Sequence, residues 1–182
     1  IRDRFGDKVA ARALAGRCGV PVLAGTDGPT DLDTATAFFR SLGEGAAVMV
    51  KALAGGGGRG MRPVLRLEDL PEAMERCASE ARTAFGNGDV YVERLLTAAR
   101  HVEVQIAGDG SGAVSHVWER ECSVQRQRQK IVEIAPAPAL HPAVRDRLLA
   151  AAVRLGTEIG YRSLGTVEFL VDADDTGPDA TI

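Results

Sequence analysis

Residues 51–62 read Lys-Ala-Leu-Ala-Gly-Gly-Gly-Gly-Arg-Gly-Met-Arg, and they predict the local fold on both sides of the glycines. An apolar run at 46–52 leads into this stretch and an alternating run at 61–67 follows it, so we expect strand, glycine loop, strand. Dinucleotide-binding loops lead into a helix, and a Walker A lysine follows its glycines, so both patterns fail here. What remains is a hairpin tip whose N–H groups can close over phosphate, with a flexible surface turn as the alternative.

Lysine is rare in this chain: Lys8, Lys51 and Lys130 are the only three among 22 Lys and Arg residues. Lysine supplies a compact point charge with three rotatable donors, whereas arginine supplies a rigid planar fork. We therefore expect these three positions to have a requirement that arginine does not meet. The glycine loop next to Lys51 indicates that the requirement is phosphate binding.

Composition narrows the class of protein. The chain has 182 residues, 45% of them apolar, and a net charge of −3, which argues against nucleic acid and acidic membranes as partners. No apolar run approaches the roughly 20 residues of a membrane-spanning helix. The three cysteines are widely spaced, so we expect reduced thiols and a cytoplasmic location. Because the chain starts on Ile1 and ends where a new β-type run begins, we expect an excerpt of a longer polypeptide.

The remaining periodicity predicts an α+β fold without βαβ repetition. We expect a helix that starts near Thr30, with Asp33 three residues on as a cap-like pair, and a polar stretch over 120–130. Apolar residues at helical spacing predict helices at 7–18, 30–42, 70–85 and 142–159. Strands are predicted at 20–23, 46–52, 61–67, 90–95, 101–106, 113–119, 131–134 and 163–172, with a hairpin turn at 109–112.

Three polar groups are candidate site residues. His101 and Glu103 share one face of a strand, and Glu168 lies on the face opposite Val167 and Phe169. A carboxylate in such a position can hold Mg²⁺ together with phosphate oxygens. The polar run 125–130, which ends on Lys130, is a candidate anion site. The alternatives are an exposed polar strand face, a solvated basic segment and a surface glutamate.

These residues occur in an order that resembles the ATP-grasp portion of biotin carboxylase, the ATP-dependent part of the biotin-dependent carboxylases. The resemblance extends over nearly the whole chain and implies a partial ATP-grasp fold of the α+β class. The matching stretches are GDK at 6–8, the lysine and glycine loop at 51–62, VERLL at 92–96, RHVEVQ at 100–105, ECSVQR at 121–126, QK at 129–130, APAP at 135–138 and GTVEFL at 165–170.

The resemblance implies a role for each matching residue. Lys8 and Lys51 would contact the phosphates of ATP, with Gly57 and Gly58 at the tip of the closing loop and Met61 after it. Lys130 would lie at bicarbonate with Gln125 nearby, and Glu168 would bind Mg²⁺ or Mn²⁺. The adenine edge, the ribose and the rest of the nucleotide site would be held by Glu93, Arg94, Leu95, Leu96, His101 and Leu170. The implied reaction makes carboxyphosphate from bicarbonate and ATP, and then carboxylates biotin, a carrier-bound substrate.

Two features depart from the family. Gln127 and Arg128 stand where the family has Arg and His, and Arg128, in the place of a nucleotide-contacting His, never deprotonates. The family's Glu-x-Asn-x-Arg stretch, with a second metal carboxylate and a catalytic Arg, would follow residue 182, so we expect the chain alone to be inactive.

The resemblance also implies organisation and partners. We expect one incomplete ATP-grasp domain: leading helices and a linker at 1–44, a small flap-bearing lobe at 45–96 and part of the large lobe at 97–182. The expected partners are the remaining N- and C-terminal parts of the biotin carboxylase, a biotin carboxyl carrier domain and a carboxyltransferase domain, in a homo-oligomeric parent enzyme. The alternatives are another ATP-grasp ligase, similar to carbamoyl phosphate synthetase, or a non-catalytic ATP-binding module.

Overall fold

The structure is a computed structural model that describes residues 8–54, 60–127 and 129–182, with side chains from residue 12 onward. The predictions for Gly57, Gly58, Arg128 and the Lys8 side chain therefore lie outside the described residues. The chain divides into two compact units. One comprises Ala13–Val22 and Ala98–Ile182, and the other comprises the described residues up to Arg12 together with Leu23–Thr97. The division into 1–44, 45–96 and 97–182 stays a prediction.

The unit containing Leu23–Thr97 is built on a three-stranded antiparallel sheet in the order β2-β1-β3. Its strands are β1 (Val48–Ala52), β2 (Met61–Val64) and β3 (Val90–Arg94), and its helices are α2 (Leu32–Ser41) and α3 (Leu70–Phe85). Alternate β1 side chains are buried, so Val48, Val50 and Ala52 join the core beneath the helices. Lys51 consequently points to the opposite face. β1 and β2 form the predicted hairpin around the glycines.

Two predictions for this unit are wrong: the residue that caps α2 and the end of β2. Helix α2 is capped by Asp31, whose carboxylate accepts a hydrogen bond from the Thr34 N–H at 2.8 Å. The Thr30 hydroxyl instead donates to the Gly28 carbonyl, within the preceding turn. The predicted strand 61–67 ends at Val64, because Leu67–Asp69 form a 3₁₀ turn that leads into α3. Helix α3 itself runs as predicted and ends at Gly86, whose φ of 76° favours glycine.

The unit containing Ala98–Ile182 is built on a four-stranded antiparallel sheet in the order β6-β5-β4-β7. The strands are β4 (Ala99–Asp109), β5 (Val114–Arg126), β6 (Gln129–Ile134) and β7 (Arg162–Asp172). Helices α1 (Lys8–Arg17) and α4 (Pro142–Glu158) complete the element list. One sheet face, with Val102 and Val104, packs against Leu148 of α4 in a common core. The other face carries the polar residues His101 and Glu103.

Two further expectations need correction. Residues 20–23 are not a strand. The first pairing after them is an isolated bridge from Gly25 to Glu93. Most of the predicted polar connection 120–130 belongs to the strands β5 and β6, which pair antiparallel in a hairpin. Cys18, Cys77 and Cys122 are all free, and Cys77 and Cys122 are buried. None of the described helices is both long and apolar enough to cross a membrane.

Candidate functional site

Lys51 is held by a buried carboxylate in the unit with the glycine hairpin. Across the sheet, Lys51 lies opposite Tyr91, and Glu93 lies two residues further along β3 on the same face. The Lys51 ammonium therefore reaches Glu93 Oε1 and forms an ion pair with it. The Glu93 residue is only 6% exposed. One of the three ammonium donors is used here, and the other two have no partner among the described residues.

A second cation, Arg12, holds the other oxygen of the same carboxylate. Its Nη1 lies 3.3 Å from Glu93 Oε2, and the Tyr91 hydroxyl donates to that oxygen at the same distance. The guanidinium also lies over the Tyr91 ring, 6.0 Å from its centroid. Burial and the Glu93 charge raise the pKa of Tyr91, so the hydroxyl stays a donor. Sequence analysis did not select Arg12 or Tyr91.

The resemblance assigns Glu93 to Leu96 to the adenine edge, and the last three of these follow Glu93 directly in the chain. Arg94 is exposed, but its N–H donates to the Ala24 carbonyl at 2.8 Å, and the Leu95 N–H donates to the Ala47 carbonyl at the same distance. Leu96 is buried. Met61 pairs with Lys51 across the hairpin. Their roles in nucleotide binding remain predictions.

In the other unit, Lys130 lies against two carboxylates that face each other across the sheet. Glu103 of β4 and Glu168 of β7 are directly opposite in the register. Like charges in this position destabilise a sheet. The Lys130 ammonium contacts Glu103 Oε1 and lies 2.6 Å from Glu168 Oε1, which offsets the repulsion. This arrangement uses two of the three ammonium donors, and the third has no partner among the described residues.

Arg120 completes the pairing of Glu103, which is only 1% exposed. The Arg120 Nη2 atom lies 2.7 Å from Glu103 Oε2, so each carboxylate oxygen has its own cation. Arg120 is opposite Glu103 on β5. Sequence analysis missed Arg120 because it assigned 120–130 to a connection. Recognition of β5 as a strand would have found it.

His101 and Gln125 are in contact beside this group. The Gln125 Nε2 atom donates to the Cys122 carbonyl at 2.8 Å and lies 2.8 Å from His101 Nδ1. An amide nitrogen is only a donor, so we assign Nδ1 as the acceptor and place the proton of the neutral ring on Nε2. That Nε2 faces Glu103 and Glu168 at 3.6 and 3.7 Å. Leu170 lies opposite His101 on β7.

The same neighbours keep Glu168 ionised. His101, as the largest influence, and Lys130 lower the pKa of Glu168 to about 2, although partial burial acts in the opposite direction. The side chain is 56% exposed, and its contacts with described residues all fall on Oε1. Glu168 is therefore an accessible carboxylate with a second oxygen available.

This arrangement permits a test of the predicted metal ligand. Ligand atoms of His101, Glu103 and Glu168 lie within 4.8 Å of one another. Glu103 does not fit a metal site, because both of its oxygens are paired with cations. Glu168 does fit, since Mg²⁺ takes one or two carboxylates together with phosphate oxygens. The described residues thus supply one suitable ligand.

The α+β arrangement with two antiparallel sheets agrees with the ATP-grasp fold that the resemblance implied, as the structural match shows. A crystal structure of biotin carboxylase from Campylobacter jejuni, in complex with β-γ-ATP, matches with a TM-score of 0.87 and 44% identity, over 93% of this chain and 38% of that one. The chain belongs to the family described as carbamoyl-phosphate synthase L chain, ATP binding domain, whose sequence model matches residues 7–177.

Two further relatives place the chain within this family. It is 53% identical to the pyruvate carboxylase of Aspergillus terreus over 171 residues, which is 93% of this chain and 14% of that protein. The biotin carboxylase domain of Hydrogenobacter thermophilus 2-oxoglutarate carboxylase, a dimer in complex with MgADP, ADP and bicarbonate, matches with a TM-score of 0.86 and 40% identity, over 94% of this chain and 38% of that one. The chain thus spans a small part of larger carboxylases.

Proposed function

We propose that this chain is the central part of the biotin carboxylase domain of a biotin-dependent carboxylase. In this proposal it takes part in the ATP-dependent carboxylation of biotin by bicarbonate. The observation that carries the proposal is the position of Lys130, held by Glu103 and Glu168 with one donor left, beside the His101–Gln125 pair. Bicarbonate would accept a hydrogen bond from that remaining donor. The 53% identity to a pyruvate carboxylase supports the same conclusion.

Each residue has a stated part in the proposed reaction. A bicarbonate oxygen would attack the γ-phosphorus of ATP, the bond to the β–γ bridging oxygen would break, and ADP would leave. Lys51 would neutralise phosphate charge and Lys130 would orient bicarbonate, because phosphoryl transfer depends on positioning and charge neutralisation. The carboxyl group of carboxyphosphate would then pass to a biotin nitrogen, with loss of phosphate and of the nitrogen's proton.

Mg²⁺ or Mn²⁺ bound through Glu168 would neutralise charge on the transferred phosphate. Gln125 would act on bicarbonate indirectly, since its amide N–H₂ group is engaged by His101 and the Cys122 carbonyl. Its carbonyl oxygen remains as an acceptor. The ring of His101, oriented by this amide, would be held ready for the ribose.

The proposal extends to partners and location. The parent enzyme would be a homo-oligomer that supplies the remaining biotin carboxylase segments, a biotin carboxyl carrier domain and a carboxyltransferase domain. We place it in the cytoplasm, where the three free thiols would stay reduced. Cell fractionation followed by immunoblotting tests the location, and recovery of the protein in another compartment would overturn it.

The test of function is a product assay on the intact protein, that is, the full-length carboxylase that contains this chain. The assay supplies ATP, Mg²⁺ and radiolabelled bicarbonate. We expect ADP release that requires bicarbonate and rises with free biotin, together with acid-labile label on biotin. The family model is named for carbamoyl-phosphate synthase, so ammonia is the second acceptor to try. ATP cleavage that requires ammonia and ignores biotin would support that ligase instead. Nucleotide binding without cleavage under either condition would support a non-catalytic module.

A further inference from the structure

The carboxylate that holds Lys51 is shared with Arg12. Glu93 Oε1 contacts the Lys51 ammonium, while Oε2 accepts from Arg12 and from Tyr91. The side chains of Lys51, Glu93 and Arg12 are 18%, 8% and 21% exposed, so all three charges are largely removed from water. Charges in such surroundings interact more strongly than they do at a surface.

The charges of Lys51, Glu93 and Arg12 show what a second cation contributes beside the Glu93 carboxylate. Lys51 and Glu93 alone would neutralise each other, and an arriving phosphate would compete with a buried carboxylate for the ammonium. Breaking such a pair leaves an uncompensated buried charge, which is costly. With Arg12 in place the three side chains carry one net positive charge. The carboxylate therefore keeps a partner when the ammonium turns to a ligand.

The surroundings hold the Glu93 carboxylate in place. A Cβ on Gly25 would lie 3.0 Å from both the Glu93 Cβ and the Val92 carbonyl oxygen, and 2.9 Å from Arg12 Nη2, so glycine permits this close approach. Gly25 also bridges Glu93 through the backbone. The Tyr91 ring lies beneath the guanidinium. Arg12 is thus fixed from two sides against the carboxylate.

The same arrangement recurs in the other unit. Glu103, also buried, divides its two oxygens between Lys130 and Arg120. In both units a lysine is paired with a buried glutamate whose second oxygen is held by an arginine. Two occurrences with different strands and register argue that the arginine is part of how these lysines are presented.

We propose that Arg12 is a positioning residue for Lys51: it holds the second oxygen of Glu93 so that the Lys51 ammonium is free to engage phosphate. Arg12 itself makes no ligand contact in this scheme and acts through the carboxylate. The inference rests on the proposed function, because it assumes that Lys51 binds a nucleotide phosphate.

The experiment measures the affinity of the intact protein for ADP and for adenosine by calorimetric titration. We expect Arg12→Met to weaken ADP binding about tenfold, the effect of one charge-assisted hydrogen bond, and to leave adenosine binding unchanged. Arg12→Lys keeps the charge and should recover most of the loss. Arg17→Met removes an exposed arginine of the same helix and should match the wild type. The ADP-to-adenosine ratio is independent of the fraction of folded protein.

A mutant cycle tests whether Arg12 acts through the carboxylate. In a Glu93→Gln background the neutral amide needs no second cation, so Arg12→Met should change ADP affinity less than twofold there. An undiminished tenfold effect would mean that Arg12 contacts the nucleotide directly, which overturns the inference. Equal weakening of ADP and adenosine, or no weakening, would also overturn it while leaving the proposed function intact. A wild-type protein that binds no nucleotide would overturn both.

Discussion

Replacing Lys130 by methionine should loosen the pairing of β4 with β7. The change keeps the aliphatic stem and removes the ammonium that lies against Glu103 and Glu168. Loss of one partner from a buried ion pair costs roughly 3–5 kcal/mol in general. Here the cost is lower, because Arg120 still holds Glu103 Oε2 at 2.7 Å and Glu168 is 56% exposed. We expect a loss of about 1–2 kcal/mol in the free energy of local opening. It has two sources, the missing partner of Glu103 Oε1 and the repulsion between Glu103 and Glu168 across the strands.

Hydrogen–deuterium exchange on the intact protein measures this effect locally. A loss of that size corresponds to roughly 5- to 30-fold faster exchange of the β4 and β7 amides, where exchange reports local opening. Arg126→Met is the matched control, since Arg126 is an exposed cation in the same hairpin and makes no ion pair with a described residue. It should leave those amides unchanged.

A second substitution separates the repulsion between Glu103 and Glu168 from the loss of their attraction to Lys130. Glu168→Gln, added to Lys130→Met, removes one of the two facing charges and should restore part of the protection. The reasoning would be refuted if the β4 and β7 amides of Lys130→Met exchanged at rates within twofold of those in the Arg126→Met control. The ammonium would then contribute nothing to holding the two strands together.

Three further outcomes are expected. In the full-length enzyme, Lys130→Ala should abolish biotin-dependent ATP cleavage and leave ATP affinity nearly unchanged in a binding titration; an equal loss of affinity would exclude the bicarbonate role. Lys51→Arg should weaken ATP binding if the position requires a point charge, and unchanged affinity would make the scarcity of lysine accidental. The pKa of Glu168 is lowered from 4.5 to about 2, so its ionised form stabilises the fold above about pH 5 and this contribution fades as pH falls toward 2. The difference in thermal midpoint between wild type and Glu168→Gln should therefore shrink from pH 6 to pH 3, whereas Glu158→Gln, at an exposed helix end, should track the wild type at every pH.

Local patterns were sufficient for most of the fold. Helix 70–85 was predictable because its apolar spacing, the Pro at its start and the Gly at its end act within one segment. The hairpin around the glycines was predictable because a strand-length run lies on each side of it. The segment 120–130 was missed because Arg and Gln on a solvent-facing strand resemble a loop, and only pairing with neighbouring strands distinguishes the two.

The sequence by itself determined the set of candidate site residues: three lysines, a glycine loop, and His101, Glu103 and Glu168 on two strands. Only the tertiary structure decided how they are paired. Arg12 reaches Glu93 across 81 residues, and Lys130 reaches Glu168 across 38. The Arg12 contact depends on how the helix α1 packs, and the Lys130 contact depends on the order and register of the four-stranded sheet. Register in turn depends on the packing of the whole sheet. Local periodicity shows which face a side chain occupies, but the carboxylate that meets each lysine depends on that packing.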